Sequence, residues 1–355
     1  MGMKTHAIIP IFVPHEGCPN DCVFCNQRVI TAREKAPDKA ETVRIIESHL
    51  KQLGKNPGIS HIEIAFYGGS FTGISMERQA EYLSIAERYK EAGRVQAIHL
   101  STRPDYINEE ILDQLTFFGT DVVELGVQSF DEEVLLQSGR GHGREAVYRS
   151  AEMIKERGID LGIQLMVGLP GDSYEKSIAS AREAVALNPA VARIYPAVVL
   201  KDTALYKMYL KGQYQPLMEA DAVRTVKDML RIFYRADIDV IRVGLKSSDN
   251  LASSGTVGGG TYHPAFRQVA ESALAREDLE EMLAEQLKRI PESNQTGLRT
   301  TFYAAPESFS NMIGMKKSNK LYFAEKYPRL NQKFAVDCAL PRNKYRVYVE
   351  FNGKL

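Results

Sequence analysis

Three cysteines in the spacing C-x3-C-x2-C occur in the segment Cys18-Pro19-Asn20-Asp21-Cys22-Val23-Phe24-Cys25. They follow an apolar run, Ile8-Ile9-Pro10-Ile11-Phe12-Val13, that reads as a strand. Three thiolates on one short loop suit three irons of a cubane 4Fe–4S cluster and leave the fourth iron open to a ligand that is not protein. A structural zinc ion would need a fourth donor, His15 or a distant residue. Disulfides would leave one thiol over and require an oxidising compartment. The spacing favours the iron–sulfur reading over both. Cys338 lies far from the triplet and reads as a small buried residue.

The elements that must position this loop are legible as alternating apolar runs and amphipathic stretches, the mark of βα units and a parallel sheet. Strands are expected at 8–13, 61–66, 97–102, 122–127, 160–167 and 191–200, and helices at 38–53, 76–93, 108–118, 143–157 and 174–187. The fold class is therefore α/β, a partial (β/α)6 barrel. A further helix at 219–235 and an apolar run at 239–245 are a candidate extension of the sheet. Functional residues in such barrels collect on loops after the strands, and the other motifs also fall there.

Tyr67-Gly68-Gly69-Ser70-Phe71-Thr72-Gly73 follows the second strand; its paired glycines either leave backbone open to a ligand or serve a tight turn. Ser101-Thr102-Arg103-Pro104 ends the third. On the fourth, Glu124 and Gln128 stand four residues apart and share a face. A buried Glu124 requires a cationic partner, for which Arg103 and Arg140 are the expected choices. Arg140 offers a bidentate fork to a carboxylate, or is a surface arginine in a loop. His142 reads as a loop residue or substrate contact. Gly168-Leu169-Pro170-Gly171 ends the fifth strand, on which Gln164 lies.

Together with Ala192-Arg193-Ile194-Tyr195-Pro196 and Glu124-Leu125-Gly126-Val127-Gln128-Ser129, these segments resemble the radical S-adenosylmethionine superfamily. Within it they are similar to the radical half of the Elongator catalytic subunit, the tRNA wobble-uridine modifying enzyme, over about residues 6–246. The Gly-Val-Gln-Ser-Phe and Gly-Leu-Pro-Gly elements give a weaker likeness to oxygen-independent coproporphyrinogen oxidases. The resemblance implies an oxygen-sensitive radical enzyme. Its cofactors would be a 4Fe–4S cluster on Cys18, Cys22 and Cys25 and S-adenosylmethionine on the open iron. It implies that Gly68, Gly69, Ser70, Thr102, Glu124, Gln128, Arg140 and Gln164 contact the cofactor, Gln164 standing neutral where some relatives carry a ribose-binding carboxylate. An electron donor such as flavodoxin or ferredoxin is implied as a partner, and tRNA as the substrate. A small metabolite or tetrapyrrole-like precursor is the alternative substrate, and a non-catalytic metal- or RNA-binding module the alternative function. The hundred residues after 246 are short for the acetyltransferase domain of that subunit, so acetyl transfer is not carried over.

Forty-five basic and 45 acidic residues among 355 give no net charge and no global attraction to nucleic acid or membrane. With no apolar stretch of membrane-spanning length and no signal peptide, a cytoplasmic protein is expected. Three parts are expected: a barrel at 1–246, a glycine-rich loop or linker at 247–263, and a small C-terminal module at 264–355. The stretch from Ser253 to Gly260 reads as a mobile loop or lid. Residues 311–355 carry ten basic side chains, among them Lys316, Lys317, Lys333 and Arg346, against Glu325, Asp337 and Glu350, with aromatics interleaved. That pattern either grips RNA or forms a small domain with its own aromatic core; the alternation at 344–351 reads as a strand and favours the latter.

Overall fold

The structure, a computed structural model, describes residues 5–14, 18, 22–26, 35–56, 58–245, 255–260 and 262–350. His15, the expected alternative zinc ligand, and residues 247–254 and 261 of the expected linker lie outside the described residues. Two compact units are present. One comprises Met3–Thr225 and Ile232–Pro264, the other Val226–Arg231 and Ala265–Leu355.

In the larger unit β1 (His6–Val13), β2 (His61–Gly68), β3 (Ala97–Thr102), β4 (Val122–Gln128), β5 (Asp160–Val167) and β6 (Val191–Pro196) lie side by side in chain order, all parallel. The 191–200 run is not one strand. It splits at Ala197 into β6 and β7 (Val198–Leu200), which belong to different sheets. The run at 239–245 does extend the main sheet: β8 (Asp239–Val243) pairs with β6 and makes it a seven-stranded, curled half-barrel rather than a six-stranded one.

Strand alternation explains the layering. In β1, Ala7, Ile9, Ile11 and Val13 are buried and the intervening residues less so. The helices between the strands supply the outer layer: α1 (Lys39–Leu53), α2 (Met76–Glu91), α3 (Glu109–Phe117), α4 (Glu132–Gln137), α5 (Arg144–Glu156) and α6 (Tyr174–Ala186). Their starts are set by side-chain caps, from Asp38, Ser75, Asn108, Asp131 and Ser173. α5 begins at Gly143 without one, and Glu132 instead accepts from the Arg144 N–H. α7 (Ala204–Leu210), like α4 too short for a clear period, was not legible in the sequence; α8 (Glu219–Arg235) was.

The glycine-rich stretch corrects another expectation. β9 (Val257–Gly260) is not a mobile lid but an antiparallel partner of β7. Its glycines let the strand pass over two rings. A Cβ on Gly258 would stand 2.5 Å from the Tyr206 ring, and one on Gly259 3.3 Å from that of Tyr209.

In the smaller unit α9 (Phe266–Leu287), α10 (Phe309–Ile313) and α11 (Ser318–Lys326) accompany a sheet of β10 (Arg299–Ala304), flanked by β11 (Asn331–Val336) and β12 (Tyr345–Glu350). Phe302 and Phe323 are fully buried with Tyr345, Val347 and Val349, and Phe302 stacks on Phe334. Phe323, Phe334 and Tyr345 among the interleaved aromatics therefore join a local core, as the alternating pattern indicated, while Tyr348 is exposed. Cys338, expected to be buried, is exposed.

Candidate cluster and cofactor site

The loop after β1 is tied to the rest of the barrel by its backbone. The Val23 N–H donates to Ser138 O at 3.1 Å, and Leu205 N–H donates to Val23 O at 2.7 Å. The Cys25 N–H donates to Cys22 O at 3.0 Å, closing a turn that keeps the two cysteines adjacent. Phe24 packs against Val134, Leu169 and Ala197. Cys22 is buried, Cys18 and Cys25 are half-buried, and none of the three is in a disulfide.

Arg140 reaches this loop. It is buried rather than on the surface; Nη1 donates to Cys22 Sγ at 3.1 Å and Nη2 to Gly126 O at 2.5 Å. Nη2 also lies 3.2 Å from His142 Nε2, which must accept because a guanidinium can only donate. Burial, then the Arg140 charge, lowers the His142 pKa to about 4. Arg140 Nε is buried without a hydrogen-bond partner among the described residues, as is Arg103 Nη1. Burial works against the Arg103 charge, but Asp105 foremost, with Cys22 and Cys18 adding, raises its pKa. One buried and two half-buried thiols, beside two guanidiniums with N–H groups to spare, fit an anionic thiolate cluster and a carboxylate ligand.

The other expected contacts form two groups on the same end of the sheet. Thr102 Oγ1 lies 2.7 Å from Ser70 Oγ and 2.6 Å from Thr72 Oγ1, and Ser70 Oγ accepts from the Arg103 N–H. Gln128 sits at a bulge in β4 with φ +70°, and Gln164 Nε2 donates to its Oε1 at 3.2 Å. The glycine motif is in part a packing device. Gly68 has φ +127°, a Cβ there would fall 2.6 Å from Val13 O, and the Gly69 N–H donates to that oxygen.

Glu124 shares the inner face but departs from the expected pairing. Arg103 is held by Asp105 in a bidentate pair at 2.9 and 2.8 Å, and Arg140 by Cys22 and Gly126. The partner of Glu124 is Arg193, whose Nε donates to Oε2 at 2.6 Å. Arg193 also donates to Tyr67 Oη and lies over that ring, 4.5 Å from its centroid. His99 Nε2 stands 3.5 Å from Glu124. Burial opposes ionisation of Glu124, yet Arg193 and His99 outweigh it and keep the carboxyl below its ordinary range. Tyr67 and Arg193 entered the sequence reading only as motif members with no role assigned, and His99 not at all. The available signal was polar residues an even number of positions apart, Glu63 and Tyr67, His99 and Ser101, Arg193 and Tyr195, in otherwise apolar strands.

A parallel half-barrel whose first strand delivers three thiols beside unsatisfied guanidiniums defines an enzyme class that holds a cluster by three irons and keeps the fourth for a small ligand. The chain belongs to the radical SAM superfamily. The superfamily profile matches residues 12–184 and that of the Radical_SAM C-terminal domain residues 189–276. It is 28% identical over 257 residues to a tRNA uridine(34) acetyltransferase of Methanocaldococcus jannaschii, covering 62% of this chain and 48% of that protein. An uncharacterized protein of the same organism is 32% identical over 227 residues, 60% of this chain and 68% of its own length. Human Elongator complex protein 3 is 28% identical over 203 residues, 52% of this chain and 37% of its own. The structure of Methanocaldococcus infernus Elp3 with an N-terminal deletion superposes with a TM-score of 0.61 at 21% identity, over 83% of this chain and 71% of that one. The chain spans about half the length of the acetyltransferase relatives it matches.

Proposed function

We propose that this enzyme abstracts hydrogen from a tRNA nucleoside, with a 4Fe–4S cluster on Cys18, Cys22 and Cys25 and S-adenosylmethionine as its cofactors. Bound there, the pair would supply one-electron reductive cleavage of S-adenosylmethionine to methionine and a 5′-deoxyadenosyl radical, with flavodoxin or ferredoxin as electron source. The observation that carries the reading is the contact of Arg140 with Cys22 and with the backbone of β4, which puts a buried cation and a cysteine ligand in one constellation. Arg140 orients the loop through Cys22 and offers its remaining N–H to a carboxylate. Gln128 and Gln164, already joined, present amide groups that can hydrogen-bond a sugar hydroxyl or an adenine edge. Ser70, Thr72 and Thr102 form a hydroxyl cluster after β2 and β3 that can accept an ammonium. Glu124, spoken for by Arg193, shapes the floor of the site rather than contacting the cofactor first.

The tRNA assignment rests on the similarity to tRNA uridine(34) acetyltransferases and Elongator subunits. It is tested by running anaerobic holoenzyme with tRNA isolated from cells grown in deuterated medium. Deuterium in the 5′-deoxyadenosine formed is expected. Unlabelled 5′-deoxyadenosine at an undiminished rate would instead favour a small metabolite as substrate.

A further inference from the structure

Away from the cysteine loop, at the opposite end of the same strands, three ligand-type side chains converge. His6 and His61 are direct partners in the parallel β1–β2 register, so their rings stand side by side on one face, centroids 5.1 Å apart. Glu63, two residues along β2, shares that face. His6 Nε2 is 2.8 Å and His61 Nε2 3.3 Å from the same oxygen, Glu63 Oε1, and the three ligand atoms lie within 4.8 Å of one another. Donors at zinc bond lengths in a tetrahedron stand about 3.3 Å apart, so little movement would be needed.

One carboxylate is addressed by three imidazoles, because His99 Nδ1 lies 3.3 Å from Glu63 Oε2. A divalent ion would use the atoms already gathered on the other oxygen: neutral imidazoles bind it through Nε2 while the carboxylate supplies charge. The arrangement also has the supporting contact that metal carboxylates carry. His99 is 1% exposed, is fixed between Glu63 and Glu124, and holds the oxygen of Glu63 that the ion would leave over. The side chains of His6 and His61 are 39% and 46% exposed, which leaves an approach from solvent and room for water as a further ligand.

We propose that His6, His61 and Glu63 form a second metal site, selective for a borderline divalent ion of the zinc type. The two-nitrogen, one-oxygen donor set lacks the thiolates that select iron–sulfur clusters. The site is independent of the cluster; seven residue steps of strand, about 23 Å, separate His6 from Val13, after which the cysteine loop begins. An ion there would join β1 to β2 at the rim where β1 begins.

The test uses the full chain with its cluster reconstituted anaerobically, loaded with Zn2+, desalted, and analysed for zinc, iron and sulfide. One zinc per chain is expected in addition to a full iron and sulfide complement. His61→Ala and Glu63→Gln should each weaken zinc binding more than tenfold with iron and sulfide unchanged. In a chain carrying Cys18→Ser, Cys22→Ser and Cys25→Ser, Co2+ should give d–d bands without thiolate charge-transfer absorption. Absence of zinc in the wild type, equal affinity in the variants, or a thiolate signature with Co2+ would each overturn the proposal.

Discussion

Arg193 bridges Glu124, Tyr67 and Tyr195 across three strands; its contact with Glu124 is buried and those with the two tyrosines are half-buried. Removing the guanidinium while keeping the carboxylate strands a charge that is 1% exposed. Arg193→Met is therefore expected to lower unfolding free energy by about 3–5 kcal/mol, and Glu124→Gln/Arg193→Met to recover much of that, as measured by denaturant titration. That Glu124 needs a partner was legible from its place in an apolar strand, but which partner was not. Arg193 lies 69 positions away on a strand that does not neighbour β4. The two meet because Gly162 of the intervening β5 stands opposite Glu124; a Cβ there would be 3.0 Å from that of Glu124. His142 carries a pH signature. Its folded pKa of about 4 lies below the usual 6.5, so the unfolded chain takes up a proton first as pH falls. Stability contributed by neutral His142 is present above 6.5 and lost progressively down to about 4, by on the order of 2–3 kcal/mol. Melts of the wild type and His142→Asn between pH 7 and 4.5 should show a smaller loss in the variant.

Gly68 ends β2 where its backbone passes Val13, the last residue of β1. A methyl group there meets backbone rather than a movable side chain, at a φ that L residues rarely adopt. Gly68→Ala should cost about 1–3 kcal/mol and, because the cysteine loop leaves β1 at that point, reduce iron and sulfide incorporation during reconstitution. At this scale the sequence was informative wherever a period could repeat. The long helices stand close to the expected positions because each repeats an apolar face, and the inner strands because burial on both faces, as at every residue of β4, makes them continuous apolar runs. What escaped was decided by contacts distant in the chain. β9 owes its conformation to pairing with β7, some sixty residues earlier, and its glycines look like a flexible loop until the tyrosine rings beneath them are seen. The short helices α4 and α7 present too few turns to show a period, although their caps, Asp131 and Thr203, are of the usual type.

The whole chain carries no net charge, so any attraction to tRNA must come from local concentration of basic groups. Lys316 and Lys317 are exposed, adjacent, and both in left-handed backbone conformation, which displays them at the turn before α11. If this surface contacts phosphates, Lys316→Glu/Lys317→Glu should weaken tRNA binding and reduce the salt dependence of log K by about two, leaving cluster content unchanged. Retained affinity in a filter-binding assay would place the RNA contacts elsewhere. Radical generation is the claim on which the other functional statements depend, and the residues proposed for it, Cys18, Cys22, Cys25 and Arg140 foremost, all lie in the larger unit. The direct measurement is 5′-deoxyadenosine formation by the anaerobically reconstituted chain with reductant and S-adenosylmethionine, with and without tRNA. The account predicts product that depends on Cys22 and Arg140 and increases with tRNA. A chain with full iron and sulfide content that forms no 5′-deoxyadenosine under either condition would contradict it.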